Sequence, residues 1–173
     1  MRLKKNKIGI LGGSFDTAHK GHLAISKEAA KRIKLKQVIW AITKKNPLKK
    51  KSNTSLQQRI KGCKKIIKKT NHIKIKFYEN IIKSNKTISL INHLSKNKKD
   101  EIYFLMGADN LINFHKWHKW KTISQKCNIV VFDRHGYKKK SLNSMTFKRL
   151  NHKNLKFVEF NKVNISSSQI RKI

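Results

Sequence analysis

The chain has 173 residues, enough for one domain of ordinary size and too few for two independent cores. Lys and Arg number 43 against 8 Asp and Glu, a formal charge of +35, yet Ile, Leu, Val and Phe supply 48 residues, which excludes a disordered basic tail. No apolar run approaches the length of a membrane span, and Cys63 and Cys127 have neither zinc-site spacing nor the number for a disulfide framework.

In chain order, Ile8 to Leu11 reads as a short buried strand that stops at Gly12-Gly13. The basic Met1 to Lys7 ahead of it imitates a signal peptide, but the apolar stretch is too short, and a reducing cytoplasm is the expected location. From about Gly21 the pattern turns helical, with Leu23, Ala24, Ala30 and Ile33 near one face. Gln37 to Ile42 is a second strand, followed by a basic loop holding the only proline, Pro47. Ser55 to Thr70 places Leu56, Ile60, Cys63, Ile66 and Ile67 at helical spacing. Ile73 to Phe77 alternates like a strand and Thr87 to Leu94 reads as a short helix. Glu101 to Met106, Asn128 to Phe132 and Leu155 to Phe160 complete the strands, before a short capped helix from Ser166 or Ser167. Strands alternating with helices predict an α/β fold, a Rossmann-like, doubly wound and mostly parallel sheet forming one domain over residues 1–173. In such sheets ligands bind beyond the carboxyl ends of the strands, where the strand order reverses.

The segments at those ends are unusual. Gly12 to His22 (GGSFDTAHKGH) joins a glycine turn to a helix N-terminus, where free N–H groups and the helix dipole favour phosphate. His19 and His22, three residues apart, can both reach one bound group and donate hydrogen bonds to phosphoryl oxygens. A zinc site is not expected, because both cysteines lie in unrelated elements. Ser166 to Ser168 with Arg171 form a hydroxyl-rich helix start and a fork of donors, with an ordinary N-cap as the alternative. Trp117 lies one turn from Phe114 on an expected helix, and so could be core or ligand platform.

Four segments together resemble the nucleotidylyltransferases of the (H/T)xGH signature, and among them the bacterial nicotinate-nucleotide adenylyltransferase family. They are Gly12 to His22; Met106 to Leu111 (MGADNL) with Phe114 to Trp120; Val131 to Tyr137 (VFDRHGY); and Ile165 to Arg171 (ISSSQIR). The resemblance implies transfer of AMP from ATP to nicotinate mononucleotide, giving deamido-NAD and pyrophosphate, with no covalent enzyme intermediate. It makes His22 and His19 the catalytic pair. ATP would be bound by Gly13, Ser14, Phe15, His19, His22, Gly107, Asp109, Arg134, Ser167, Ser168 and Arg171, and the acceptor by Ser14, Asn46, Thr87 and Trp117. Magnesium would arrive on the ATP phosphates with no protein ligand. The expected partners are ATP and nicotinate mononucleotide, with no specific nucleic acid and no membrane; self-association is left open.

The chain departs from the family pattern at several points. Thr17 and His135 replace prolines, Ser168 replaces threonine, and Lys86 stands where tyrosine precedes Thr87. Asn46 to Lys49 lacks a usual histidine, and the chain ends at Ile173 where the family runs into a further helical segment. Two other readings compete. One is a phosphopantetheine or nicotinamide mononucleotide acceptor in the same superfamily. The other is a nucleic-acid binder, suggested by the charge; against it, Lys outnumbers Arg 37 to 6 and is dispersed along the chain.

Overall fold

The computed structural model describes residues 5–45, 52–150 and 152–159. Six strands form one sheet: β1 (Asn6–Gly13), β2 (Gln37–Ile42), β3 (Ile73–Lys76), β4 (Asp100–Gly107), β5 (Asn128–Phe132) and β6 (Leu155–Val158). All pairs are parallel, in the order β3-β2-β1-β4-β5-β6. The order reverses between β1 and β4, so a crevice opens beyond Gly13 and Gly107.

Buried strands present alternate residues to opposite faces, and here both faces are covered. Ile8, Ile10, Ile39, Ala41, Ile102, Phe104, Met106, Ile129 and Val131 form one core. Leu11, Val38, Trp40, Ile42, Leu105, Val130 and Phe132 form the other. The helices divide accordingly. Ala29 and Ile33 of α1 (Lys20–Ile33) and Cys63 of α2 (Leu56–Ile67) enter the second core. After the four-residue α3 (Glu79–Ile82), the first core takes Ile88 and Ile91 of α4 (Thr87–Leu94), Leu111 of α5 (Ala108–Asn113) and Ile123 of α6 (Trp120–Lys126). Two five-residue helices, α7 (Lys138–Leu142) and α8 (Met145–Arg149), lead towards β6. Gly9 in β1 permits a close approach here, since a Cβ would lie 2.7 Å from Leu35 Cδ1.

The expected strands and the three longer helices are present, β2, α4 and β5 with the expected ends and the others with ends shifted by one to three residues. The helix expected from Ser166 or Ser167 lies outside the described residues. On α1 the expected stripe lies on the core face, with Ile33 buried and Leu23, Ala24 and Ala30 packed against the core, and Ser26 and Ala29 join it as fully buried members. The polar Ser26 belongs to the inner face because it has a partner there, Trp40 Nε1, 2.8 Å away. The five short helices have no counterpart in the sequence reading; four to seven residues are too few to display a helical period.

Candidate active site

The turn after β1 enters α1 through its two histidines. His19 is the N-cap; its Nδ1 accepts the Gly21 N–H (3.1 Å), while His22 Nδ1 accepts the His19 N–H (3.2 Å). Each ring therefore spends Nδ1 as an acceptor, so a neutral imidazole must carry its proton on Nε2. The rings lie 3.9 Å apart, centroid to centroid. A reciprocal cap has thus oriented both histidines, with Nε2–H groups as donors at the positive end of a 14-residue helix. Burial, and then the charge of Arg134, lower the pKa of His19 to about 4, so it is neutral at pH 7.

Buried aromatic rings back the pair. Phe15 stacks on Trp40 at 5.0 Å and lies 4.8 Å from the His22 ring. Trp40 Nε1–H donates to Ser26 Oγ, whose hydroxyl donates to the His22 carbonyl (2.8 Å). Phe15 is 3% exposed and adopts φ +50°, in the left-handed region. Its ring is thus a plug beneath the turn, which leaves only its main chain for ligand contact. Gly13 and Ser14, partly buried, complete the turn.

Across the crevice, Gly107 is the N-cap of α5, and Arg134 Nη1 donates to Asp109 Oδ2 at 2.7 Å. The ends of β4 and β5 therefore meet through an ion pair between two residues that the sequence reading assigned separately. Arg134 also donates its N–H to Asp133 Oδ1 (2.7 Å), and its guanidinium lies 5.8 Å from the Tyr137 ring.

A cavity of about 310 Å³ opens beside Gly12 and Gly13, and both Thr87 and Trp117 line it. Its walls carry Lys86, Lys116 and His118 against a single carboxylate, Glu79. Trp117 is not on a helix as expected. It ends a 3-10 turn, Phe114–Lys116, in an extended conformation, with edge contacts to Phe104 (5.9 Å) and Phe114 (5.2 Å). It is core and cavity wall at once. Asn46, Ser167, Ser168 and Arg171 lie outside the described residues. Among the described residues no group of three or more His, Cys, Asp or Glu could hold a metal ion, and no helix is long and apolar enough to cross a membrane.

Three supporting residues escaped the sequence reading. Asp16, 3% exposed, accepts the Asn53 N–H (2.7 Å) and the Thr54 hydroxyl (2.8 Å), tying the turn to the approach to α2. Arg59 of α2 is 4% exposed and reaches the turn through the Ser14 carbonyl, 2.7 Å away. Glu79 holds the exit of β2 by accepting the Lys44 N–H (3.2 Å) and the Thr43 hydroxyl. A signal existed for Arg59: it stands three residues after Leu56 and four before Cys63, a cation on an otherwise apolar stripe.

The cytidylyltransferase-like family model matches residues 10–173. A Pelagibacter ubique protein named "Probable nicotinate-nucleotide adenylyltransferase" is 66% identical over 170 residues, spanning 98% of this chain and 94% of its own length. An Agrobacterium fabrum protein of the same name is 36% identical, spanning 75% of this chain and 70% of its own. Among solved structures, Plasmodium falciparum nicotinic acid mononucleotide adenylyltransferase complexed with NaAD superposes with a TM-score of 0.80 at 20% identity, covering 96% of this chain and 83% of that one. That likeness shows the fold. The family match and the identity over nearly the whole chain show that this protein belongs to the cytidylyltransferase-like nucleotidyltransferases, within the nicotinate-nucleotide adenylyltransferase family.

Proposed function

We propose that the chain transfers AMP from ATP to nicotinate mononucleotide, forming deamido-NAD and pyrophosphate. One observation carries the reading: two pre-oriented histidines at a helix N-terminus face the strand-order switch point, beside a cavity lined by Thr87 and Trp117. The acceptor's phosphate oxygen attacks the α-phosphorus, and the bond to the β-bridging oxygen breaks as pyrophosphate leaves with its electron pair. Such a displacement needs alignment and charge stabilisation, and no enzyme nucleophile.

In this reading His22 and His19 donate from Nε2 to the α-phosphoryl oxygens as charge builds there. The turn at Gly13, Ser14 and Phe15 offers main-chain contacts to the nucleotides. Gly107 provides a helix start without a side chain in the way, and the Asp109–Arg134 pair borders the nucleotide. Ser167, Ser168 and Arg171 would take the β- and γ-phosphates, as the resemblance implies. Magnesium enters bound to the triphosphate, since Asp109 is already engaged by Arg134 and Asp16 by Asn53 and Thr54. On the acceptor side Trp117 offers a ring face to the pyridine, with Thr87, Ser14 and Asn46 as further contacts. Three cationic or titratable walls against one engaged carboxylate favour an anionic nicotinate over the neutral amide. The work is expected to take place in the cytoplasm.

Pyrophosphate release from ATP, measured with nicotinate mononucleotide, nicotinamide mononucleotide and phosphopantetheine as acceptors, tests the proposal. Turnover with nicotinate mononucleotide should exceed the other two by at least tenfold in kcat/KM. Absence of turnover with either mononucleotide would refute it.

A further inference from the structure

Arg59 does no chemistry, yet it is held where the two substrate sites share a wall. Its Nη1 donates to the Ser14 and Thr43 carbonyls (2.7 and 2.8 Å) and its Nη2 to the Lys44 carbonyl (3.1 Å). From the opposite side Glu79 accepts the Lys44 N–H and the Thr43 hydroxyl. The Thr43 N–H donates to the Gly13 carbonyl (2.9 Å). Every main-chain polar group of Thr43 and Lys44 is thus taken by another element: β1, α2 or α3. Ser14 belongs to the histidine-side turn, while Thr43 and Glu79 line the cavity. A buried guanidinium is costly to desolvate, and its planar fork serves three carbonyls that a single ammonium cannot reproduce.

We propose that Arg59 is a positioning residue that locks the nucleotide turn to the wall of the acceptor cavity, so that filling one site pre-orders the other. The proposal rests on the assignment of the two sites given above. Ordering a shared hub once makes the second ligand bind more tightly, and the effect is reciprocal. It also fixes the distance between the acceptor phosphate and the α-phosphorus, on which an in-line displacement depends steeply.

The experiment is isothermal titration of the full-length protein with α,β-methylene-ATP, with and without saturating nicotinate mononucleotide. It is run on wild type, Arg59→Lys and Glu79→Ala, beside circular dichroism and steady-state turnover. Wild type should bind the analogue about fivefold or more tightly when the acceptor is present. Folded Arg59→Lys should lose that enhancement and drop in kcat by about tenfold to a hundredfold. A merely structural role would lower its melting temperature and leave the enhancement intact in the folded molecules. Glu79→Ala, half-exposed, reaches the same hub from outside and decides the matter if Arg59→Lys does not fold: its enhancement should also shrink. No enhancement in wild type, or wild-type enhancement in a folded variant, overturns the proposal. If wild type neither binds the acceptor nor turns over, the acceptor assignment has failed. Arg59 is then judged on analogue affinity alone, which should weaken about tenfold in Arg59→Lys, and an unchanged affinity overturns its role.

Discussion

The hydrogen bonds linking Trp40, Ser26 and His22 make a quantitative test of how the histidine pair is supported. Trp40 and Ser26 are both wholly buried, and the indole N–H has Ser26 Oγ as its partner at 2.8 Å. Ser26→Ala removes that acceptor and orphans the N–H, a loss of about 1–3 kcal/mol. The lost Ser26 bond to the His22 carbonyl is largely offset by alanine's better helix propensity, of about 0.5 kcal/mol. A net 1–3 kcal/mol corresponds to a fall in Tm of roughly 3–10 °C for a domain of this size. Trp40→Phe loses part of the ring and leaves a void, at about 1–3 kcal/mol. In the double variant no indole N–H remains to be orphaned, so its destabilisation should fall short of the sum by about 1 kcal/mol or more. Urea unfolding followed by circular dichroism measures all three. Additivity within about 0.5 kcal/mol would show that the bond does not support the fold as described. Turnover of Ser26→Ala should drop only a few-fold, because the reciprocal cap still orients His22.

Other expectations follow from the same geometry. Folded His22→Ala should lose two to three orders of magnitude in kcat, and near-normal turnover removes His22 from the mechanism. Histidine resonances followed by NMR should place the His19 pKa near 4; Arg134→Ala should raise it by the smaller share, since burial is the larger cause. Because the folded pKa lies below the unfolded value, the unfolded chain binds the proton first as pH falls from about 6.5 to 4. Over that window His19 should erode stability, with no effect at higher pH, and His19→Asn should flatten that part of a stability-versus-pH curve. Gly107→Ala sets a Cβ 2.5 Å from Asp109 Oδ1, so the carboxylate must shift and its pairing with Arg134 is disturbed. The pair is partly exposed, so stability should change by less than about 1 kcal/mol while KM for ATP rises several-fold; an unchanged KM would separate the pair from nucleotide binding.

Much of this arrangement was legible because it rests on local rules. The unbroken apolar runs in Gln37–Ile42 and Asn128–Phe132 read directly as buried strands, and both have the expected ends. The histidine-bearing turn was legible because glycines ahead of a helical pattern mark a strand-to-helix junction whatever the rest of the chain does. Charge was the misleading signal. Four of the eight acidic residues, Asp16, Glu79, Asp109 and Asp133, stand at the carboxyl ends of the strands, each holding a hydrogen bond there. In a chain so rich in lysine, the placement of the few carboxylates says more than the excess of cations.

The parallel α/β fold and the histidine-bearing turn were readable from the chain alone, since period and turn chemistry act over a few residues. Tertiary structure alone decided that Asp109 pairs with Arg134, that Trp117 is both core and cavity wall, and that Arg59 joins Ser14 to Thr43. These contacts span 16 to 45 positions or depend on rings from separate elements. They exist only once β5 lies beside β4 and α2 reaches the ends of β1 and β2, because bringing distant segments together is the step that no local preference encodes. In the proposed function, oriented N–H groups and the few charged side chains of the cavity wall set the selectivity, and the +35 net charge of the whole chain does not.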